Sequence, residues 1–309
     1  MIIISSGRYH AFEVQKSVTV QAAPGIYAGI AGIVSPAHAA VSLSNFGGGL
    51  HRVMLRGLTI SRDDPGGKLG EKHGISINSV SGGPSRLEVH IEDCVISGFA
   101  NSDSFGGGSR GIRGFFKMDD IAHIYIKNTL VRDCDFGIEI NPHLPQQGSE
   151  GFYCPVPDFK LGRIMLLIDH SQILNNLNTG ILIGRAMRVT LRDSIVSGRR
   201  ITDSFRHGGP PLIGIRAATS LVIPGHCPPL PENLDEDSRA QMNIERSLVT
   251  GLGIGIQSED GSLIRVSDST ISDNIKALDT NDGAVISRAN NTVEGNLSGE
   301  TFTTTFMAK

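Results

Sequence analysis

Carboxylate and amide side chains are concentrated in two neighbouring stretches of this sequence. The stretch "DCDFGIEIN" carries Asp133, Asp135 and Glu139, and "LNNLN" carries Asn175, Asn176 and Asn178. Because Ca²⁺ takes six to eight oxygen ligands, Asp133 and Asp135 could hold this cation, or the acids could take part directly in catalysis. Asp and Asn are also frequent in turns, where their side chains satisfy backbone groups. A purely structural role for this cluster is therefore open as well.

Basic side chains are concentrated in three further stretches. In "SRDDPGGKLGEKHG", "GGGSRG" and "SGRRITDSFRHGG" they include Lys68, Lys72, His73, Arg110, Arg199, Arg200, Arg206 and His207. The net charge of the chain is only −3, so this clustering is local, and it would attract an anionic polymer. The alternative is that these are solvated loops whose charges are unrelated.

A repeated pattern indicates which elements position these residues. The segments "LRGLTIS", "IEDCVISG", "IKNTLVRD", "IDHSQILN", "LRDSIVSG", "IERSLVTG" and "VSDSTISD" align on Ile60, Ile96, Val131, Ile173, Val196, Val249 and Ile271. The steps between these positions are 36, 35, 42, 23, 53 and 22, and a further step of 22 leads to Val293. The pattern predicts a 22-residue unit with insertions, which is typical of a solenoid whose stacked coils share one core.

A second strand recurs inside each unit as a Gly-Ile motif, in "HGISI", "RGIRG", "FGIEI", "TGILI", "IGIRA" and "IGIQS". Isoleucines two residues apart share one face of a strand, so the residue between them points outward. The outward positions predict a ladder of Ser76, Arg113, Glu139, Leu182, Arg216, Gln257 and Asp279. Within it, Arg113 and Glu139 would be neighbours, either as a surface salt bridge contributing less than about 1 kcal/mol or as a pair facing a substrate.

The insertions predict long loops at residues 61–74, 97–111, 141–163, 197–214 and 218–241 of a single domain spanning residues 1–309. The loops 61–74 and 97–111 would form one wall of a cleft and the loop 197–214 the other. Two coils with short turns lie between them, so the walls would stand roughly 14 Å apart. Glu139 and Leu182 would lie on the floor of this cleft, which a polymer chain could cross.

The segments "GRYHAFEVQKSVTVQAAPG", "VMLRGLTI" and "LEVHIEDCVISGF", with the Gly-Ile copies, resemble the right-handed parallel β-helix proteins of the pectin-lyase-like superfamily. The resemblance spans roughly residues 7–298. It implies an all-β chain folded as a single-stranded right-handed parallel β-helix of about nine coils. The matching residues are core and turn positions, and the usual start of such proteins is absent. The superfamily includes pectate lyases, mannuronan epimerases, polysaccharide hydrolases and proteins without activity, so the fold alone does not define the function.

The resemblance implies a lyase or epimerase that removes the C5 proton of an acidic polysaccharide. In such enzymes a cation neutralises the uronate carboxylate, which acidifies the adjacent C–H for a positioned base. Arg113, Glu139 and Arg110 are the candidate catalytic residues. Lys68, Lys72, His73, Arg199, Arg206 and His207 would bind the substrate, and Asp133 and Asp135 a Ca²⁺ ion. The alternative hypothesis is a non-catalytic β-helix that serves as a binding or structural module.

Composition limits the classes of protein to which this chain could belong. The net charge of −3 gives no indication of nucleic-acid binding, and no apolar run reaches the roughly 18 residues of a membrane span. The first residues lack a signal-peptide pattern, so we expect a cytoplasmic protein or a missing upstream segment, although the resemblance suggests a secreted or cell-surface protein. An uncovered first coil could mediate oligomerisation. Cys94 and Cys134 are expected to be buried free thiols, whereas Cys154 and Cys227 could form a disulfide.

Overall fold

Three parallel β-sheets form the wall of a right-handed solenoid, and the chain passes through sheets A, B and C in turn. The computed structural model describes residues 1–32, 38–44, 49–62, 72–78, 85–100, 108–117, 120–143, 163–198, 211–219 and 238–306. Within these residues the chain completes nine coils of three strands each, and all pairs between named strands are parallel. The predicted all-β parallel β-helix of about nine coils is therefore confirmed.

Sheet A contains eleven strands in the described residues. They are β1 (Ile2–Ile4), β4 (Val18–Ala22), β7 (Gly49–Arg56), β10 (Ser85–Glu92), β13 (Ile121–Lys127), β16 (Ile164–Asp169), β19 (Met187–Arg192), β22 (Gln241–Glu245), β25 (Leu263–Ser267), β28 (Ala284–Ser287) and β30 (Thr304–Thr305). Along most of these strands buried aliphatic residues alternate with outward-facing residues, as in "IAHIYIK" of β13. One face of the sheet thus belongs to the core and the other faces outward.

Sheet B contains ten short strands. They are β2 (Gly7–His10), β5 (Ala28–Ala31), β8 (Leu58–Ser61), β11 (Val95–Ser97), β14 (Leu130–Arg132), β17 (Gln172–Leu174), β20 (Ile195–Ser197), β23 (Leu248–Thr250), β26 (Thr270–Ser272) and β29 (Thr292–Glu294). The seven repeat positions from Ile60 to Ile271 pair in register on this sheet and have no exposed surface. Each such side chain contributes roughly 1.5–3 kcal/mol by its burial, so the repeat identified in the sequence is the stacked core.

Sheet C contains nine strands and carries the Gly-Ile motif. They are β3 (Phe12–Val14), β6 (Ala39–Leu43), β9 (His73–Asn78), β12 (Arg110–Lys117), β15 (Phe136–His143), β18 (Thr179–Ile183), β21 (Ile213–Ala218), β24 (Ile254–Glu259) and β27 (Lys276–Asn281). The outward ladder from Ser76 to Asp279 is confirmed in register at every step. It extends to Ser42 of β6.

The corner between sheets A and B has two residues in each of six consecutive coils. The first residue adopts a left-handed conformation with φ between 45° and 56° at Asp93, Asn128, His170, Asp193, Arg246 and Asp268. The second is small and buried, and from Thr129 to Ser247 its backbone N–H donates to the hydroxyl of the next coil at 3.0–3.2 Å. This hydroxyl ladder satisfies backbone groups that would otherwise be buried without partners.

The corner between sheets B and C uses asparagine in the same way. The backbone N–H of Cys134 donates to Asn176 Oδ1 at 3.1 Å, and that of Leu252 donates to Asn274 Oδ1 at 3.1 Å. Asn274 in turn donates its backbone N–H to Asn296 Oδ1 at 3.0 Å. The polar residues that recur in the sequence repeat are therefore largely devices for stacking coils.

The Gly-Ile motif has a steric cause. A Cβ atom placed on Gly111, Gly137 or Gly180 would lie 2.5–2.7 Å from the carbonyl oxygen of the glycine in the next coil. A Cβ atom on Gly74, Gly214 or Gly255 would come equally close to a carbonyl oxygen of the next coil. This row of glycines, one per coil, ends at Ala277. Only glycine permits the coils to approach this closely at the start of sheet C.

The two ends of the solenoid differ. At the C-terminal end, Phe302 packs against the core and β30 pairs with β28, so the tail covers the last coil. At the N-terminal end, a cavity of about 560 Å³ is lined mainly by apolar residues of the first two coils, including Ile2, Ile3, Phe12 and Val18. Oligomerisation through this coil stays a prediction.

Cysteine burial matches the sequence-based expectation where the chain is described. Cys94 and Cys134 are free and buried, and burial raises the pKa of each thiol to about 12. Cys154 and Cys227 lie outside the described residues, as do the central parts of all five predicted loops.

Candidate functional site

Four of the predicted site residues lie together on sheet C. His73 opens β9, Arg110 opens β12 and is its register partner, and Arg113 of β12 pairs with Glu139 of β15. His73 and Arg110 were expected in loops, but both begin strands. We call His73, Arg110, Arg113 and Glu139 the sheet C cluster.

A buried ion pair lies at the centre of the sheet C cluster. The Nε atom of Arg110 donates to Glu139 Oε2, and its Nη1 donates to the carbonyl of Gly108. The two charged side chains are only 11% and 9% exposed. The Arg110 guanidinium also lies 5.0 Å from the centre of the Phe136 ring, a favourable cation–π distance. Each charge is therefore neutralised by a neighbour within the protein.

His73 is held in its neutral form. Arg113 Nη1 donates to His73 Nε2 at 2.7 Å, because a guanidinium can only donate. Burial lowers the pKa of His73 to about 2, and the positive charges of Arg113 and Arg110 contribute to that shift. Arg113 also stacks on Phe115, with its guanidinium 3.9 Å from the ring centre. His73 is completely buried, so in this structure it does not reach solvent.

The residues expected on the cleft floor are buried. Glu139 is 6% exposed and Leu182 is 5% exposed, and Ser76 and Gln257 of the same ladder are also buried. Lys72 is half-buried, and its backbone N–H donates to the Ser109 hydroxyl at 3.0 Å. The other predicted binding residues, Lys68, Arg199, Arg206 and His207, lie outside the described part of the chain. The roles assigned to these residues stay predictions.

Asp133 and Asp135 occupy the B–C corner next to the sheet C cluster. Asp133 adopts the left-handed conformation with φ of 55°, which Asp tolerates better than most residues. The carboxylate of Asp135 is buried and accepts the backbone N–H of Ser109 at 2.7 Å. Both aspartates thus have structural tasks, and their predicted binding of Ca²⁺ stays a prediction.

A different trio of side chains is close enough to hold a metal among the residues that the structure describes. Asp169, His170 and Asp193 lie at the A–B corners of adjacent coils, with ligand atoms within 4.8 Å of one another. Arg192 donates to Asp169 at 2.9 Å and lowers the pKa of that carboxyl, and Arg246 donates twice to Asp193 at 2.8 and 2.9 Å. Because two guanidinium groups already neutralise the carboxylates, the trio is a poor fit for Ca²⁺, which prefers oxygen ligands.

A groove of about 500 Å³ crosses the outer face of sheet A from β13 to β25. Its lining comes from five neighbouring strands, and four of them contribute polar side chains, including Tyr125, Arg188, Gln241, Asn243 and Arg265. Four strand steps correspond to roughly 19 Å. No carboxylate is found among the described lining residues. We call this feature the sheet A groove.

The rims of the sheet A groove are fixed by contacts between coils. Arg265 Nη1 donates to the side-chain oxygen of Gln241 at 3.2 Å, which holds the guanidinium along the groove. At the other end, His90 stacks on Tyr125 with ring centres 4.6 Å apart. His90 also bonds Glu88 at 2.8 Å, and this contact lowers the pKa of the Glu88 carboxyl. The groove is thus lined by side chains with defined neighbours.

Sequence reasoning found the sheet C cluster and missed the sheet A groove. The signal was present, because "HIYIK", "MRVTLR" and "LIRVS" alternate core and outward residues as the Gly-Ile strands do. Aligning these outward positions gives the ladder that passes through Tyr125, Leu167, Thr190, Asn243 and Arg265. The outward residues of the sheet A strands differ from coil to coil, so they form no motif.

Three stacked parallel sheets with coiled connectivity define this chain as a single-stranded right-handed parallel β-helix. Among solved structures it is similar to the crystal structure of pectate lyase Pel9A, with a TM-score of 0.56 and 11% sequence identity. The similarity covers 100% of this chain and 70% of that one. No family model and no curated protein matches the sequence. Within the described residues, no helix is long and apolar enough to cross a membrane.

Proposed function

We propose that this protein binds an acidic polysaccharide along the sheet A groove and acts on it as a lyase or epimerase. The observation that carries the proposal is the groove itself, whose described lining includes the side chains of Arg188 and Arg265. Two guanidinium groups in a concave surface favour an anionic ligand. The pectate-lyase-like fold is consistent with this proposal.

The geometry favours a polymer over a small anion. The coils repeat at the strand spacing of about 4.8 Å, so the groove offers equivalent positions at regular intervals along the solenoid axis. A chain of sugars laid across the strands would meet one outward side chain per coil on each ladder. A carboxylate that pairs with a guanidinium in a bidentate manner gains both energy and orientation.

The chemical step requires a neutralised carboxylate and a base. In a lyase, the base removes the C5 proton and the C4–O bond breaks, which leaves a C4–C5 double bond in the product. In an epimerase, an acid on the other side of the sugar adds a different proton to the opposite face of C5, and no bond to oxygen breaks. Arg188 and Arg265 would neutralise the carboxylate in either case, and this acidifies the C5 proton.

The sheet C cluster is the second candidate location for this chemistry. Arg113 and Glu139 are neighbours on one ladder, and Arg110 and His73 lie beside them. Arg110 and Glu139 are buried, so a substrate does not reach their charged groups in this structure. Separate variants distinguish the two locations.

The proposal is tested by calorimetric titration with oligomers of galacturonate and of mannuronate and guluronate. The double variant Arg188→Gln/Arg265→Gln should weaken binding at least about tenfold, since each charge-assisted bond contributes about 1.5–3 kcal/mol. Arg132→Gln, on the outer face of sheet B, is the matched control and should bind like the parent. If the parent binds none of these oligomers, the proposed function is wrong.

Turnover is measured in the same samples by two readouts. Ultraviolet absorbance of the unsaturated product reports elimination, and deuterium uptake at C5 from heavy water reports epimerisation. Loss of turnover with intact binding in Arg113→Gln would place the chemistry at the sheet C cluster. Binding without either signal would identify the non-catalytic module as the function.

The same assays examine the predicted need for Ca²⁺. Activity is compared after addition of Ca²⁺ and after chelation, in the parent and in Asp133→Asn. If Asp133 and Asp135 bind Ca²⁺, chelation should reduce binding or turnover in the parent, and the variant should need more Ca²⁺. A parent indifferent to chelation would refute the predicted metal site. An acidic polysaccharide as substrate would also agree with the expected secreted or cell-surface location.

A further inference from the structure

The N-terminal end of the solenoid exposes the edges of all three sheets. β1, β2 and β3 are the outermost strands of sheets A, B and C, and no strand among the described residues pairs with their outer edges. Met1, Ile2 and Ile3 are 82%, 53% and 62% exposed although they are apolar. Ile2 and Ile3 also line the cavity of about 560 Å³ at this end. Exposed sheet edges beside a patch of apolar surface are typical of a surface that binds another protein chain.

The C-terminal end of the solenoid does not offer a matching surface. There β30 pairs with β28, and Phe302 packs against the core. A head-to-tail contact between two copies would therefore join an open core to a covered one. A contact between two N-terminal ends instead joins identical surfaces, and a self-complementary contact of this kind has a twofold axis.

We propose that two copies of this chain form a head-to-head dimer through their first coils, with a twofold axis perpendicular to the solenoid. The axis passes through the middle of β1, so the β1 strands of the two copies pair in antiparallel orientation and sheet A continues across the interface. The rotation reverses the order of the sheets, so β2 of each copy faces β3 of the other. The cavity residues Ile2, Phe12 and Val18 of the two copies then face one another, and their apolar surface is removed from water.

The charges at this end are complementary under that symmetry. Arg8 and His10 occupy the exposed positions of β2, and Glu13 occupies the exposed position of β3. A cationic edge therefore opposes an anionic one twice. Each coil climbs one strand spacing of about 4.8 Å, so β2 and the opposing β3 stand roughly 10 Å apart when the β1 strands pair. The side chains of Arg8 and Glu13 are together long enough to meet across this gap.

Arg8 and Glu13 also have interactions within their own chain, and the hydroxyl of Ser44 donates to the Glu13 carboxylate. The dimer does not require these side chains to be unpaired. Their opposite charges determine the orientation of the two copies. The favourable free energy comes from the burial of apolar surface and from the backbone hydrogen bonds between the β1 strands.

The dimer is tested by analytical ultracentrifugation of the full chain over a wide range of protein concentrations. The parent should sediment as a monomer in equilibrium with a dimer. Ile3→Lys should weaken dimerisation at least about tenfold, because it places two ammonium groups opposite each other at the twofold axis. Leu297→Lys is the matched control at the C-terminal end, where the leucine is 81% exposed, and it should dimerise like the parent.

A mixing experiment tests the symmetry itself. Ile3→Glu alone should also weaken dimerisation, because two carboxylates then meet at the axis. An equal mixture of Ile3→Lys and Ile3→Glu should restore the dimer, because each ammonium group then faces a carboxylate. This restoration requires that Ile3 of one copy lies opposite Ile3 of the other. Melting curves of all variants establish that they fold.

Three results would overturn the proposed dimer. A parent that stays monomeric at every concentration would show that the N-terminal ends do not associate. A dimer that persists in Ile3→Lys would place the contact elsewhere on the molecule. A mixture of the two Ile3 variants that stays monomeric would exclude the twofold arrangement. Each of these results is independent of polysaccharide binding, so the proposed function stands or fails separately.

Discussion

The glycine row at the start of sheet C permits a sharp test of how closely the coils must stack. In Gly180→Ala, the new Cβ would lie 2.6 Å from the carbonyl oxygen of Gly214 and 2.9 Å from Val196 Cγ1. The first of these atoms belongs to the backbone of the next coil and cannot rotate away. The coils must therefore move apart locally, or the strand must shift within the sheet.

Two opposing effects set the size of the change. Overpacking in a well-packed core costs about 1–3 kcal/mol, and the upper value applies where the clash is with backbone. Replacing glycine stabilises the folded protein by about 0.4–1 kcal/mol, since it restricts the unfolded chain. We expect Gly180→Ala to lower the free energy of unfolding by about 2 kcal/mol, because the clash outweighs the entropic gain.

The measurement is equilibrium unfolding in urea, followed by far-ultraviolet circular dichroism. Gly214→Ala should behave similarly, because its Cβ would lie 2.6 Å from the carbonyl of Gly255. Ala277→Gly is the matched control at the end of the row, where alanine is native and its removal should cost about 1 kcal/mol. If Gly180→Ala unfolds within about 0.5 kcal/mol of the parent and with the same denaturant slope, the steric explanation of the motif is wrong.

Three further predictions concern buried polar groups. Glu139→Ala leaves the Arg110 charge buried without its carboxylate. Urea unfolding should show that the free energy of unfolding falls by about 3–5 kcal/mol. A decrease below about 1 kcal/mol would mean that the pair is not buried in solution. Asn274→Ala removes the acceptor of a buried backbone N–H and should cost about 1–3 kcal/mol, measured in the same way and contradicted by unchanged stability. The pKa of His73 is lowered to about 2. When the pH falls from the ordinary histidine pKa of about 6.5 to pH 5, His73 therefore becomes protonated only in the unfolded state. Over that interval the free energy of unfolding should fall by about 2 kcal/mol more in the parent than in His73→Gln. Equal decreases in the two proteins would refute a neutral His73.

The repeat could be predicted from the sequence because its determinants lie close together along the chain. Core residues such as Val196 and Val249 alternate with polar corner residues at a fixed spacing, and stacking follows from that spacing alone. The outward ladder through Arg113 and Glu139 followed from the same register. The alternation of core and outward residues that defines a strand can thus be recognised within a single coil.

The site depends on features outside the repeat, so its arrangement was less predictable from the amino-acid pattern. The ion pair of Glu139 forms with Arg110, three residues before its ladder neighbour Arg113. Leu182, at an outward position of its strand, is buried all the same. The sheet A groove arises from eight outward residues on five strands, and these residues share no motif.

Because the A–B corners each have two residues, coils could be added to the solenoid or removed from it as units. Six consecutive corners have the same length and the same left-handed first residue, so a coil can be cut and rejoined there without changing the register. Residues 246–267 form one minimal coil, and a tandem copy of this segment would add one step of about 4.8 Å to the sheet A groove. The length of the sheet A groove could thus be set by the number of coils, independently of the loops at the other two corners.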